Sequence, residues 1–267
     1  MSKSLFASFS SEKEDSSFFA ALAIVLACLI GPLLWPADPA ALHYDLPVAP
    51  PSWLHPLGTD ELGRDELARL LQGGLETLKI AVPAAALAFA IGVAFGLLAG
   101  MVPASGVRLL APLLDALLAL PPLVVLLCGA ALLPRNAVSV AVLIGVTAWP
   151  ALARLVLIET VSLRGRDFAW ASRLLGAGAV RMALHHYVPN MRRLLAVNAM
   201  FLLGDAILAL SAMSFLGLGV PPPAASWGGM LQGGLGLIDL GAWWLILPPG
   251  LAITACLLAT GAAGRRV

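Results

Sequence analysis

Apolar residues run through this sequence in long blocks, separated by short polar connections, and not in the one-sided stripes of a water-soluble fold. A helix rises about 1.5 Å per residue, so roughly 20 mostly apolar residues cross roughly 30 Å of hydrocarbon. Six stretches meet that requirement: residues 18–35, 78–101, 109–133, 137–158, 194–218 and 242–262. The pattern therefore predicts an all-α polytopic membrane protein with six transmembrane helices. The first stretch has Lys13 among Glu12, Glu14 and Asp15 upstream and no small-residue cleavage site after it, so it reads as a retained helix and not a secretory signal.

Positive charge orders the connections. Lys3, Lys13, Arg108, Arg154, Arg164, Arg166, Arg173, Arg181, Arg192, Arg193, Arg265 and Arg266 fall on one side of the predicted spans. Arg64, Arg69, Lys79 and Arg135 fall on the other. The richer side is cytoplasmic by the positive-inside rule, which gives an N-in, C-in topology. Trp35, Trp53, Trp227, Trp243 and Trp244 then collect outside or at the outer interface, where amphipathic rings settle.

Three connections are long. Residues 36–77 lie outside; after a proline-rich start, Leu62, Leu67, Leu70 and Leu71 set against Arg64, Asp65, Glu66 and Arg69 predict an amphipathic helix on the membrane surface. The chain thus divides into residues 1–77, a first helix with this external segment, and residues 78–267, the transmembrane domain. Residues 219–241 form a second external loop, rich in Pro, Gly and Trp. Residues 155–193 lie inside. There Phe168, Ala171, Ser172, Leu175, Ala179 and Met182 recur at helical spacing among Asp167 and several arginines, and Gly176 and Gly178 permit a bend between two short helices. Such a stripe suits a groove on another protein. By pattern alone, packing on its own bundle or on lipid headgroups reads equally well.

Particular residues shift that balance. Trp170-Ala171-Ser172, with Gly176 and Pro189 beyond, resembles the EAA loop of ABC importer permeases. His55-Pro-Leu-Gly-Thr-Asp-Glu-Leu-Gly-Arg-Asp65, which includes Asp60 and Arg64, is similar to a signature of dipeptide, oligopeptide and nickel permeases. Ser214-Phe-Leu-Gly-Leu-Gly-Val-Pro-Pro-Pro223, followed by Ser226-Trp227-Gly228, resembles a block of the C-type subunit of those systems. The three blocks span residues 54–230 in the expected order.

This resemblance implies a type I ABC importer permease core in the bacterial cytoplasmic membrane. It implies a homologous permease, two ATPase subunits carrying ATP and Mg, and an extracytoplasmic binding protein as partners, with peptides or nickel chelates as cargo. Residues 167–182 would be the helix coupled to the ATPase, with Asp167, Phe168, Trp170, Ala171, Ser172, Leu175, Gly176, Met182 and Pro189 as its candidate residues. His55, Asp60, Arg64 and Trp227 are candidates to face the binding protein. The chain departs from the EAA pattern at Trp170, which stands where a glutamate is expected, and at His186 and Val188. A buried aromatic anchor would supply by apolar contact what the missing carboxylate does not.

A self-contained secondary transporter or channel is the other reading of the spans, and it would show more intramembrane charge or paired broken repeats; composition bears on the remaining classes. Of 267 residues 60% are apolar and 12% charged, against roughly a quarter charged in soluble domains. A net charge of +1 gives nucleic acid no basic face to bind. No lysine stands in a phosphate-cradling G-x-x-x-x-G-K-[ST] loop, so no cofactor is expected in this chain. His43, His55, His185 and His186 show no metal-ligand spacing, and no nucleophile–base grouping points to catalysis.

Two features of the spans remain. Gly92, Gly96 and Gly100 recur every four residues along one side of the second span, a spacing for close helix packing or tolerated facing lipid. Asp205 lies near the middle of the fifth span, where a charge needs a polar cavity or a partner. It is a cargo-pathway candidate, with a structural hydrogen-bonding role as the other reading.

Overall fold

Asp65 starts the first long helix. Its Oδ1 accepts the amide of Ala68 at 2.7 Å, an N-cap that satisfies a donor the helix itself cannot. Helix α1 (Glu66–Met101) then runs unbroken for 36 residues, about 54 Å at 1.5 Å per residue. Only roughly 30 Å of that can lie in hydrocarbon, so an end of α1 stands clear of it. The predicted surface helix ending at residue 77 is therefore the opening turns of this same helix. The change from amphipathic to apolar sequence near residue 78 alters what surrounds the helix and leaves its backbone hydrogen bonds intact.

The computed structural model describes residue 26 and residues 30–266. Most of the first predicted span lies outside the described residues; within it, residues 30–34 are helical. Helices α2 (Ala104–Leu118) and α3 (Pro122–Leu132) take the place of the predicted span 109–133, and they meet at a 79° bend. Pro121 and Pro122 cause the break: each lacks an amide donor and clashes with the turn before it. Pro150, by contrast, is carried inside a continuous α4 (Ala137–Arg164). Three elements complete the bundle after the short helix α5 (Asp167–Leu174): α6 (Arg192–Phe215), α7 (Trp227–Leu235) and α8 (Leu247–Arg266). Among the described residues four helices are long and apolar enough to cross a membrane, five if the bent pair counts as one span.

Helices α1 and α4 form the centre, side by side and parallel, which the return pass through α2 and α3 makes possible. Gly92 faces Leu152, Gly96 faces Ala153 and Val156, and Gly100 faces Thr160. A Cβ added at Gly96 would lie 2.6 Å from Val156 Cβ and 2.7 Å from the Ala153 carbonyl, so the backbones approach more closely than any side chain permits. Arg164, in the last turn of α4, donates to the carbonyls of Gly100 and Val102 and so closes the C-terminus of α1. Helix α8 packs antiparallel on α6, with Gly204 against Thr260 and Gly264 against Met200. The bundle consequently has two ends. One holds residues 36–69, the α3–α4 turn and residues 216–245; the other holds α5 and residues 175–191.

Candidate functional site

At the first end, Asp60 and Asp65 of the 55–65 block gather its other polar groups. Asp60 Oδ1 accepts the amides of Leu62 and Arg64, both at 2.9 Å, and its Oδ2 accepts Arg64 Nε at 2.6 Å. Asp65, besides capping α1, lies 2.8 Å from His55 Nδ1 and accepts Trp35 Nε1 at 3.3 Å. Thr59 Oγ1 donates to the Leu46 carbonyl at 2.6 Å and accepts the Ala49 amide at 2.8 Å. Gly63 adopts φ +73°, and a Cβ there would run into the His43 carbonyl. This block is a knot that fastens residues 43–60 onto the start of α1.

The four residues expected to face the binding protein are engaged within the fold. Asp60 is buried, His55 and Arg64 are half-buried, and all three are committed to the knot. Trp227 is 1% exposed and donates Nε1 to the Leu70 carbonyl at 2.9 Å, because the first turn of α7 packs on the opening turns of α1. A tryptophan beside glycines in a polar loop reads as an interface ring in sequence; only the packing shows that its ring is core.

The block 214–228 meets this knot. Gly219 sits so close to Ser214 that a Cβ there would overlap its Oγ, which fixes the chain reversal after α6. Ser226 caps α7 by accepting the Gly229 amide at 3.2 Å. Between the two blocks lies a cavity of about 520 Å³, lined by Glu66, Arg69, Ser214 and Gly233 among others, and by Arg135 from the α3–α4 turn. Arg135 was not singled out as a site residue because a distant element contributes it; Glu61, Glu66 and Arg69 lie in or beside the 55–65 block, and the sequence does not show that they line a cavity.

At the other end, α5 and the helical turns after it divide the expected apolar stripe. Ala169 and Met182 are buried, and Phe168 is half-buried and stacked on His186 with ring centroids 6.2 Å apart. Arg173 Nη2 donates to the buried Tyr187 hydroxyl at 3.0 Å. These contacts clamp the segment to its own bundle. Trp170, Leu174, Leu175, Val180 and Leu184 stand outward, with Trp170 59% and Leu174 86% exposed. Gly176, at φ +82°, turns the chain between α5 and residues 179–190. Asp167, Ala171 and Pro189 are exposed and Ser172 is half-buried. Trp170 and Leu174, one helical turn apart, are exposed together, whereas Phe168 and Met182 of the expected stripe pack inward. Sequence reading named Trp170 and Leu175 but missed Leu174, Val180 and Leu184; the i, i+4 spacing of Trp170 and Leu174 was the available signal.

Within the bundle, Asp115 of α2 is ion-paired with Arg154 of α4 at 2.9 Å. Asp205 lies with Phe201 and Leu208 on an exposed face of α6, uncovered by the chain's own helices.

Membrane-length helices with a clamped, outward-apolar helical loop at one end and a charged cavity at the other define a multi-pass membrane subunit of a larger assembly. The chain belongs to the family of binding-protein-dependent transport system inner membrane components, whose model matches residues 92–266. It is 37% identical over 249 residues to the di/tripeptide transport system permease protein DppC of Pseudomonas aeruginosa, covering 91% of this chain and 82% of that protein. Relatives from Brucella suis carry the names peptide permease protein, 36% identical over 88% of this chain and 78% of that one, and peptide transport system permease protein, 35% identical over 91% and 81%. The chain is therefore a type I permease subunit of a binding-protein-dependent ABC importer in the inner membrane, with an ATPase and a substrate-binding protein as partners.

Proposed function

We propose that this subunit conducts short peptides into the cytoplasm. The observation that carries this reading is its likeness, over nine-tenths of its length, to a di/tripeptide permease; the relatives' names give nickel no comparable support. In this reading the subunit pairs with a homologous permease and stands on two ATPase subunits, which bind ATP and Mg and perform the hydrolysis, while the chain itself is not catalytic. A second permease supplies the cover that Asp205 lacks in the isolated chain, since a charged side chain in mid-bilayer needs a partner or a water-filled path. ATP binding closes the ATPase pair and, through the Trp170 face, shifts the permease pair between outward-open and inward-open states. That shift requires nucleotide and docked binding protein each to prefer one state, because equal affinity for both moves nothing.

Proteoliposomes holding both permeases and both ATPases, with binding protein added, test the reading. Labelled dialanine should accumulate only with ATP and not be displaced by a nickel chelate. Nickel accumulation with no peptide uptake would replace the cargo; no ATP-dependent uptake of either would remove the importer reading.

The orientation is N-in, C-in, which puts the cavity outside and the Trp170 face in the cytoplasm. In a background lacking Cys28, Cys128 and Cys256, an impermeant thiol reagent should label Ser52→Cys in intact cells and Ser8→Cys only after permeabilisation. The reverse labelling would invert the topology.

A further inference from the structure

The cavity beside the knot is lined by both signs of charge. Glu66 and Arg69, one turn apart on α1, are 2% and 8% exposed, while Glu61 and Arg135 are its exposed charged members. Arg69 is incompletely satisfied. Its Nε lies 3.3 Å from Asp60 Oδ2 without hydrogen-bond geometry, so Nε and Nη1 are buried with no acceptor, and the buried Ser214 Oγ on the same cavity also has no partner. Buried guanidinium donors left without an acceptor are costly, and a carboxylate offers acceptors in the fork geometry that arginine matches.

A second observation is independent of charge. Gly233 and Gly236 line the cavity, yet a Cβ at either meets nothing within 4 Å and neither has a left-handed backbone. Packing demands glycine at neither position, and Gly233, inside α7, is the weaker helix former there. Its effect is to leave space open. The volume of about 520 Å³ falls within the range of small-ligand sites.

Resting on the peptide-import reading, we infer that this cavity is a transit site for short peptides with both termini free. Arg69 and Arg135 receive the carboxylate, and Glu61 the ammonium. A purely anionic or purely cationic ligand would be repelled by half of the lining; a zwitterion is attracted by all of it. Concavity and mixed charge favour a small peptide over a loop of the binding protein.

The test uses the assembled permease–ATPase complex in lipid nanodiscs without binding protein, probed with dialanine and trialanine by saturation-transfer NMR. Both peptides should contact the complex, and dialanine amide and N-acetyl dialanine should do so roughly tenfold more weakly, the loss of one charge-assisted contact. Arg135→Gln should abolish the preference for the free carboxylate, and Glu61→Gln the preference for the free ammonium. Gly233→Leu should fill the space and weaken every peptide while leaving thermal stability unchanged or raised. Peptide contact that is absent, or indifferent to blocked termini and to all three substitutions, overturns the inference. So does a result in which the substitutions spare peptide contact but weaken association with the binding protein, which would make the cavity a docking surface. Dialanine uptake by the wild-type complex, measured in parallel, separates failure of this site from failure of the importer reading: uptake that persists unchanged in Arg135→Gln sinks the site alone.

Discussion

Trp170→Ala combined with Leu174→Ala should strip the ATPase subunits from the permease and abolish cargo uptake. The two side chains are 59% and 86% exposed, one turn apart on α5, on a segment clamped to the bundle from behind. Aromatic and aliphatic anchors at the centre of an interface lose about 2 kcal/mol or more on truncation. Two such losses weaken association by roughly a thousandfold. Membrane insertion should survive, because neither residue lies in a membrane-length helix. The contrast is Phe168→Ala with Met182→Ala. Those side chains pack inward, so this pair should loosen the segment's attachment and lower thermal stability, with a smaller loss of bound ATPase. ATPase retained per permease, and uptake in the same membranes, are the paired measurements. Full ATPase retention by the Trp170/Leu174 variant, with loss only in the Phe168/Met182 variant, would return the interface to the stripe first read from the sequence.

Asp60→Ala should unfold the first end of the molecule. Asp60 accepts two backbone amides and Arg64 Nε and lies 3.3 Å from Arg69 Nε, with the carboxylate, Arg64 and Arg69 all at least four-fifths covered. Removing one partner of a buried ion pair costs about 3–5 kcal/mol, chiefly because the remaining charge stays buried without its counterpart. Two guanidinium groups would be left that way here. The expected result is a large loss of monodisperse complex after detergent extraction, and a lowered thermal midpoint in what remains. Asp60→Asn keeps an oxygen for the amides and should fall between. Wild-type stability in Asp60→Ala, joined to weakened binding-protein association, would restore Asp60 as a docking residue.

What the sequence determined by itself was set by solvent and by chain length. Blocks of about 20 apolar residues leave the backbone no partner but itself in lipid, so the all-α membrane class follows without tertiary information. Glycines four apart on the 78–101 span share one side of a helix in any fold, which made close packing legible, though not that α4 is the helix they meet. Proline's missing donor is a local property, yet Pro121-Pro122 breaks the third span while Pro150 is carried within α4, so the outcome at each proline was left to packing.

Tertiary structure decided everything that depended on which surface covers which. An amphipathic stripe announces that one face of a helix is buried and says nothing of the burying surface; on α5 that surface is the chain's own bundle, and the outward apolar residues became the open face. The charges of the 55–65 block look like solvent-seeking residues one by one. Asp60, Arg64 and Asp65 are instead drawn into a single turn-rich knot, where Asp60 pairs with Arg64 and Asp65 with His55. Trp227 became core and Arg135 a cavity residue for the same reason: each is placed by elements more than fifty residues away, and only folding brings those elements to one end of the bundle.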